Sequence, residues 1–243
     1  MLDEVANVIT ERHGDTPLNN TPHFRRWVYP NFYDRADLID QQDQVQMLIQ
    51  PQGKYAMIHG AVMGRGMDIS IIDALGGTAK TGKTASGTAP LPEGQKIAHG
   101  GSGLTVQKLR QAKKILDRNE VDEMHPRFFI CSAEEMDNLL GTTEVTSSDF
   151  NTVRALVHGE FDTFLGFKFI RSERLRKEPS DNSRKCYAYA MPAICFKVWM
   201  EPSVTADRRP DKRNAWQLYT SGSWGATRLE DEMVVEVETV NAS

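Results

Sequence analysis

The segment Gly77–Thr84, GTAKTGKT, is the stretch of this 243-residue chain whose residue types and spacing most directly suggest chemistry. It matches the pattern G-x-x-x-x-G-K-[ST] of nucleotide-binding loops at every position. In such a loop backbone N–H groups cradle the phosphates, Lys83 would reach the β and γ oxygens, and Thr84 would hold Mg²⁺. Because the pattern works only between a buried strand and the N-terminus of a helix, the flanking residues decide its interpretation.

Neither flank of Gly77–Thr84 has the required structure. The residues before it have the periodicity of a helix, and those after it read ASGTAPLPEGQ, in which two prolines and two glycines oppose a helix. An apolar strand ending in Asp, which would supply a second magnesium ligand, is also missing. We therefore interpret GTAKTGKT as a flexible loop rich in Gly, Thr and Lys, and keep a P-loop nucleotide-binding protein as an alternative.

Histidine, cysteine and carboxylate side chains show no spacing typical of a catalytic or metal site. The six histidines are scattered singly, and Cys131, Cys186 and Cys195 form no C-x-x-C pair. Three cysteines without such a pair suit buried thiols in a reducing compartment. Glu120–His125 places three carboxylates near a histidine, but we interpret it as a solvated turn. The sequence predicts no catalytic residue, no metal and no cofactor.

Aromatic and arginine side chains alternate within Pro22–Asp37, PHFRRWVYPNFYDRAD. Mixtures of this kind make interface hot spots, although stacking on nucleic acid would use the same residues. A core-facing strand with Trp27 and Tyr29 on one face is a third reading. We favour a subunit interface, because a segment near the start of the chain has little of its own domain to pack against. The predicted interface residues are Phe24, Arg25, Arg26, Trp27, Tyr29, Tyr33 and Arg35.

Composition and charge indicate a globular protein. The chain is 40% hydrophobic and 26% charged, and its net charge of −4 argues against a dedicated nucleic-acid binder. No apolar run approaches the roughly 18 residues of a membrane span, and the first residues do not form a signal peptide. We expect a soluble protein made inside the cell, without a membrane partner.

Periodicity predicts a long helix first and long strands last. The helix covers Gln41–Leu75, is interrupted near Pro51 and Gly53, and ends at Gly76-Gly77. Its apolar residues fall on one face, which is Ile58, Val62, Ile69, Ile72 and Leu75, and on an adjoining one, which is Met63, Met67 and Ala74. The late strands are expected to pack on this helix, so the region between them would be an inserted α/β unit.

The inserted region is predicted to begin with a helix over Thr105–Asn119, which has a narrow apolar stripe and a solvated basic face that includes Lys108. A strand over Arg127–Cys131 follows and leads into a helix capped by Ser132 and Glu135.

Further strands are predicted in the second half of the chain. We expect one over Phe164–Leu175, entered through Gly166, and a strand–turn–strand around Pro192. Thr205–Arg213 is interpreted as a charged connection. The last strand candidate alternates Val235 and Val237 with Glu236 and Glu238, and the pattern predicts one solvated face.

Several long phrases of the chain, in one order, resemble major capsid proteins of tailed bacteriophages. They are RRWVYPNFYDRADLIDQQDQVQMLI, MGRGMDISIIDALGGTAKTG, GLTVQKLRQAKKILDRNEVD, EVTSSDFNTVRALVHGEFDTFLGFKFIRSERL and WQLYTSGSWGATRLEDEMVVEVE. The resemblance extends over nearly the whole chain from about Arg12. Relatives have a longer stretch before Arg12–Pro17, so the arm here is short, was cleaved, or lies outside this sequence.

The resemblance implies an α+β protein with the Hong Kong 97-type capsid fold, in which an axial domain is inserted into a peripheral domain. The N-terminal arm and extended-loop segment would be residues 1–40. The peripheral domain would comprise 41–104, with a spine helix over about 46–75, and 192–243, with long strands. The axial domain would be 105–191, and GTAKTGKT would be a loop after the spine helix.

The resemblance also implies a function. Such a protein self-assembles into pentamers and hexamers of an icosahedral head that encloses double-stranded DNA. Scaffolding, portal and decoration proteins would be partners, and contact with packaged DNA would be weak and non-specific. The protein would be located in the virion capsid after assembly in the bacterial host cytoplasm. The alternatives are an encapsulin-like compartment shell, a P-loop protein and a nucleic-acid-binding module.

Overall fold

The computed structural model describes residues 12, 23–40, 51–141, 163–178, 180 and 182–240. Its helices are α1 (Pro51–Gly76), α2 (Val106–Arg118) and α3 (Ala133–Leu140). Its strands form two three-stranded sheets and one six-stranded sheet. Short 3₁₀ turns occur at Glu93–Gln95, Met191–Ala193 and Pro210–Lys212.

Helix α1 starts and stops at residues that suit a helix terminus. Pro51 occupies the first position, where its missing N–H costs no hydrogen bond. The helix continues through Gly53, so the predicted interruption there is wrong. At the other end a Cβ on Gly77 would lie 2.6 Å from the Asp73 carbonyl oxygen, which confirms the predicted stop. Residues 41–50 of the predicted helix lie outside the described residues.

The three-stranded sheet under α1 is antiparallel in the order β10-β11-β2. Its strands are β2 (Asn31–Ile39), β10 (Ile194–Arg209) and β11 (Ala215–Arg228). The α1 helix packs on all three, which confirms the expected contact between the early helix and late strands. Trp224 of β11 lies under Gly66, where an added Cβ would be 3.1 Å from the ring.

The predicted apolar face of α1 is only half correct. Ile72 and Leu75 are buried, but Ile58 is 49% and Ile69 39% exposed. Met63 of the adjoining predicted face is buried, and so is His59, which belonged to neither predicted face. A helix that is apolar on two sides does not itself say which side the sheet will cover.

Strand β10 is longer than predicted. Thr205 pairs with Tyr219 and Arg209 with Ala215, so Thr205–Arg209 is strand and the predicted connection is wrong there. Charged residues fit this strand because β10 lies at the edge of its sheet, where charge discourages pairing with a strand of another chain. The reversal occurs after Pro210, with Arg213 in the left-handed region at φ 51°.

The six-stranded sheet has the order β5-β12-β9-β6-β8-β7. Its strands are β5 (Lys96–Ile97), β6 (Arg127–Cys131), β7 (Thr163–Phe164), β8 (Phe167–Arg171), β9 (Ser183–Ala190) and β12 (Val234–Val240). The predicted strand–turn–strand around Pro192 is confirmed as β9, a 3₁₀ turn and β10. The predicted strand over Phe164–Leu175 is instead β7 and β8, joined at Gly166.

Local signals around α2 and α3 are confirmed. Thr105 caps α2 by accepting the Lys108 N–H at 3.3 Å, and the apolar stripe of α2 lies in the core. Strand β6 has the predicted bounds, and Ser132 and Glu135 form the predicted capping box. The caps and apolar patterns that predict these elements lie within a few residues of each other in the sequence.

Strand β12 does not have the predicted solvated face. Val234, Val235, Glu236 and Val237 are all buried, because β12 lies between β5 and β9 with α2 packed against it. The Glu236 carboxylate accepts a hydrogen bond from Lys185 Nζ at 3.0 Å. Strand β12 belongs to the predicted peripheral domain and β6 to the predicted axial domain, yet the two strands lie in one sheet. The division into domains stays a prediction.

Lys108 also departs from its predicted place on a solvated basic face. Its side chain is buried, and Nζ donates to the carbonyl oxygens of His99, Ser102, Gly103 and Glu238 at 2.7–3.1 Å. Burial lowers the pKa of this ammonium group from its ordinary value, although nearby negative charges oppose the shift. The cation ties α2 and the loop before it to β12.

Arg228, the last residue of β11, joins several elements through its buried guanidinium. Nη1 donates to the carbonyl oxygens of Leu75 and Gly77 at 2.8 and 2.7 Å, and Nη2 donates to Ala89 at 3.0 Å. Nε donates to Asp231 at 2.6 Å. The end of α1 is therefore held to residues 89 and 231 by one side chain.

We predict that Arg228→Met lowers the free energy of unfolding by about 3–5 kcal/mol, because it leaves buried carbonyl oxygens without their donor and removes one of the two arginines that bind Asp231. Urea unfolding followed by circular dichroism measures the change. The control is Arg209→Met, which removes an exposed ion pair with Asp211 and should change little. Equal unfolding midpoints for Arg228→Met and the wild type would contradict the prediction.

Candidate subunit-contact surface

The GTAKTGKT segment contains the first strand of a β-hairpin and the start of its turn. Strand β3 (Ala79–Thr81) pairs antiparallel with β4 (Gly87–Ala89), and the turn between them has Gly82 at φ +87°. The segment follows the helix α1, and the next helical residues after it are the 3₁₀ turn at Glu93. A phosphate-binding loop requires the opposite arrangement, with a strand before and a helix after. The nucleotide-binding alternative is therefore wrong, and the expected loop is an ordered hairpin.

The aromatic and arginine segment begins as a third strand on this hairpin. Strand β1 (Arg26–Trp27) pairs with β3, so that Arg26 lies opposite Thr81 and Trp27 opposite Lys80. The Trp27 Nε1–H group donates to the Gly82 carbonyl oxygen at 2.7 Å. One end of the segment is fixed to the turn that contains Lys83.

Besides Trp27 with its bond to Gly82, three of the seven predicted interface residues make side-chain contacts within their own subunit. Arg26 donates to the Leu229 carbonyl oxygen at 3.1 Å and to the Asp231 carboxylate at 2.7 Å. The Tyr33 ring stacks on Trp224 with centroids 4.3 Å apart. Arg35 donates to Asp37, with its Nη2 at 3.3 Å from the carboxylate. Arg26 and Tyr33 therefore position the segment on the fold, whereas Arg35 pairs within its own strand.

The other four predicted residues are exposed. Phe24 is 87%, Tyr29 50% and Trp27 37% exposed, and Arg25 is exposed beside them. The Trp27 and Tyr29 rings are 6.4 Å apart and nearly parallel. Exposed aromatic side chains that lie near each other are typical of contact surfaces.

Strand β2 extends this exposed surface. Its alternation turns Tyr33, Arg35 and Asp37 inward, while Phe32 and Leu38 remain 79% and 50% exposed. Phe32 and Leu38 were absent from the predicted set, although the alternation of the strand carries the signal that separates the two faces. We define the exposed aromatic surface as Phe24, Trp27, Tyr29, Phe32 and Leu38.

Close packing fixes the segment between β1 and β2 on the sheet. Gly225 of β11 lies directly beneath it, where a Cβ would overlap the Tyr29 carbonyl oxygen and lie 3.2 Å from the Val28 side chain. Glycine is required there because another backbone crosses the strand. The exposed aromatic surface is therefore presented from a supported backbone.

A buried polar group lies under the inward face of β2. His59 of α1 has Nε2 at 2.8 Å from the Asp37 carboxylate and Nδ1 at 2.9 Å from the Thr220 hydroxyl. If Nε2–H is donated to Asp37, Nδ1 accepts the hydroxyl of Thr220. The order acid, imidazole, hydroxyl resembles that of a hydrolase triad. His59 and Thr220 are both 0% exposed, so the group connects β2, α1 and β11 and has no access to a substrate.

No local pattern in the sequence indicates this group. His59 was one of six single histidines, and its partners are 22 and 161 residues away. Among the described residues, no group of three or more His, Cys, Asp or Glu side chains is arranged to hold a metal ion. No helix in the described ranges is long and apolar enough to cross a membrane.

The family model described as phage capsid protein matches residues 2–241 of the chain. The chain belongs to this family. No curated protein matches the sequence. The match covers nearly the whole chain and favours a capsid protein of a phage over the encapsulin-like alternative.

Solved phage structures show the fold of this capsid protein. A chain from Mycobacterium phage Che8 has a TM-score of 0.66 at 18% identity, over 85% of this chain and 70% of that one. The capsid of cyanophage Pam1 gives 0.69 at 12% identity, over 99% and 83%. The capsid of cyanophage P-SCSP1u gives 0.67 at 15% identity, over 98% and 81%. The predicted Hong Kong 97-type capsid fold is confirmed.

We predict that Thr220→Val destabilises the capsid protein by about 1–3 kcal/mol, because it leaves the buried Nδ1 of His59 without its donor while it preserves side-chain volume. Urea unfolding of the purified chain measures the change. Thr205→Val, at an exposed position on β10, is the matched control and should unfold at the wild-type midpoint. Equal unfolding midpoints for Thr220→Val and Thr205→Val would show that the hydrogen bond between Thr220 and His59 adds no stability.

Acid should weaken the contribution of Asp37. The His59 hydrogen bond, with a smaller contribution from Arg35, holds the pKa of this carboxyl below its ordinary value of 3.8. A lowered folded-state pKa gives stability that is present above the unfolded value and is lost as pH falls through the folded value. The stability difference between wild type and Asp37→Asn should therefore be largest at pH 6 and shrink below about pH 4.

Unfolding midpoints of the wild type and Asp37→Asn at pH 6 and pH 3 measure this dependence. Asp34→Asn, on the exposed face of the same strand, is the control and should show no such trend. A difference between wild type and Asp37→Asn that does not change with pH would rule out the proposed role of the carboxylate.

Proposed function

We propose that this phage capsid protein is the major subunit of an icosahedral head, forming pentamers and hexamers that enclose double-stranded DNA. Assembly would take place in the bacterial host cytoplasm, and the mature protein would lie in the virion capsid. The observation that carries the proposal is the exposed aromatic surface on a chain of the phage capsid family. The proposed role is structural, so it requires no catalytic residue or cofactor.

The exposed aromatic surface has the chemistry that a symmetric shell requires. Each exposed ring presents apolar area to water in the isolated subunit. Burying that area in a contact between subunits stabilises the contact by about 25 cal/mol per Å². A shell repeats every contact many times, so contacts of modest area sum to a stable particle. We propose Phe24, Arg25, Trp27 and Tyr29 as contact residues, with Phe32 and Leu38 added from β2. Arg26 and Tyr33 would support them from beneath.

Other components of the head follow from this role. Scaffolding and portal proteins would direct assembly, and a decoration protein could bind the outside. Contact with packaged DNA would be weak and non-specific, because a net charge of −4 gives little attraction to a polyanion.

We predict that the purified chain forms closed shells, or rings of five and six, in negative-stain electron microscopy and light scattering. The variant Tyr29→Ser with Phe32→Ser should lower the apparent association constant by about tenfold or more, as the loss of hot-spot residues does. Met191→Ser, at an exposed apolar residue far along the chain, is the control and should assemble normally. A folded wild-type chain that stays monomeric under all assembly conditions would contradict the proposal.

A further inference from the structure

A cleft of about 520 Å³ lies between residues 23–26 and the turn of the β3–β4 hairpin. Its lining includes His23, Phe24, Arg25, Arg26, Gly82 and Lys83. The lysine of the GTAKTGKT segment thus lies in a cleft with two arginines, although the segment does not form a nucleotide site. We call this space the hairpin cleft.

Two cations of the hairpin cleft have no partner of opposite charge among the described residues. Arg25 and Lys83 are exposed and form no ion pair with another described residue. Arg26 binds Asp231, yet its Nη1 is buried and has no hydrogen-bond partner among the described residues. A buried donor without an acceptor costs free energy. The cleft therefore favours a ligand that brings negatively charged oxygen atoms.

The hairpin cleft also presents an apolar side chain. Phe24 is 87% exposed, so a ligand that fits the cleft should bury an apolar group against this ring as well as supply carboxylates. A nucleic-acid backbone would supply the negative charge, but the net charge of −4 on the whole chain disfavours a polyanion. A protein segment with acidic residues around an apolar one matches both features.

The turn between α2 and β6 of the same chain has this composition. Glu120, Asp122 and Glu123 are exposed around Met124, which is itself 88% exposed. The turn is held in shape, because Asp122 accepts the Met124 N–H at 2.9 Å and Asn119 donates to the Glu232 carbonyl oxygen at 3.0 Å. We call residues 120–124 the acidic turn.

We propose that the hairpin cleft of one subunit binds the acidic turn of a second copy of the chain, with carboxylates against Arg25 and Lys83 and Met124 against Phe24. The acidic turn does not line the cleft of its own subunit. Two different surfaces would therefore meet head to tail, and such contacts close into rings when the rotation permits. This inference rests on the proposed function and names one contact between neighbouring subunits of a ring.

Charge reversal tests the contact in the full chain. Arg25→Glu with Lys83→Glu should lower the fraction of assembled protein about tenfold, and Asp122→Lys with Glu123→Lys should do the same, because like charges would meet. The four changes together should restore assembly. The control is Arg110→Glu with Lys114→Glu, which makes the same charge change on the exposed face of α2 and should assemble as the wild type does. Light scattering and electron microscopy give the readout, and circular dichroism confirms folding.

The outcomes separate this contact from the proposed function. If the wild type does not assemble, both fail. If the wild type assembles and the cleft variant assembles equally well, or the four changes do not restore assembly, only the contact is wrong. A cleft variant that assembles normally but loses binding to a fluorescent 30-nucleotide single strand would assign the cleft to nucleic acid and overturn the proposal.

Discussion

The buried guanidinium of Arg228 is the interaction on which the described structure most depends. It ends β11, is 0% exposed, and donates hydrogen bonds to the Leu75 carbonyl of α1, to Ala89 at the end of β4 and to the carboxylate of Asp231. Asp231 also binds Arg26, which starts the hairpin sheet, and it precedes β12 of the six-stranded sheet. All three sheets therefore meet around one ion-paired arginine. A buried charge tolerates few alternative arrangements, because leaving any of its partners unpaired is costly.

The contacts of α1 extend this arrangement along the three-stranded sheet. Close approach at Gly66 places the helix on Trp224, and the hydrogen bonds of His59 connect it to β2 and β11. Tyr33 stacks on the same tryptophan from β2. The inward face of β2 is thus occupied by contacts within the subunit, and its outward face carries Phe32 and Leu38. Strand alternation converts one arginine-rich and aromatic segment into a supporting face and a contact face.

The charged side chains also fall into two groups, those that bind atoms of their own subunit and those that are exposed to a neighbouring one. Arg228 and Lys108 are buried and satisfied by backbone carbonyl groups, and they fix the relative positions of distant segments. Arg25 and Lys83 are exposed near an exposed phenylalanine, where a neighbouring subunit can reach them. For a capsid protein this division matters, because its function is to present the same surfaces with the same geometry in every copy.

The sequence by itself determined the elements whose signals are local. The capped helix α2, strand β6 with the capping box at Ser132, and the stop of α1 at Gly76 depend on residues a few positions apart, and the long phrases identified the family. Only the tertiary structure decided which residues are buried. Lys108 reaches a carbonyl 130 residues away, His59 a hydroxyl 161 residues away, and Arg228 the end of a helix 153 residues away. Residues 234–237 of β12 are buried because other elements cover both faces of that strand. Besides Trp27, three of the seven predicted interface residues make side-chain contacts within their own subunit. Periodicity gives the faces of an element, but the element that covers each face is chosen by the packing of the whole chain.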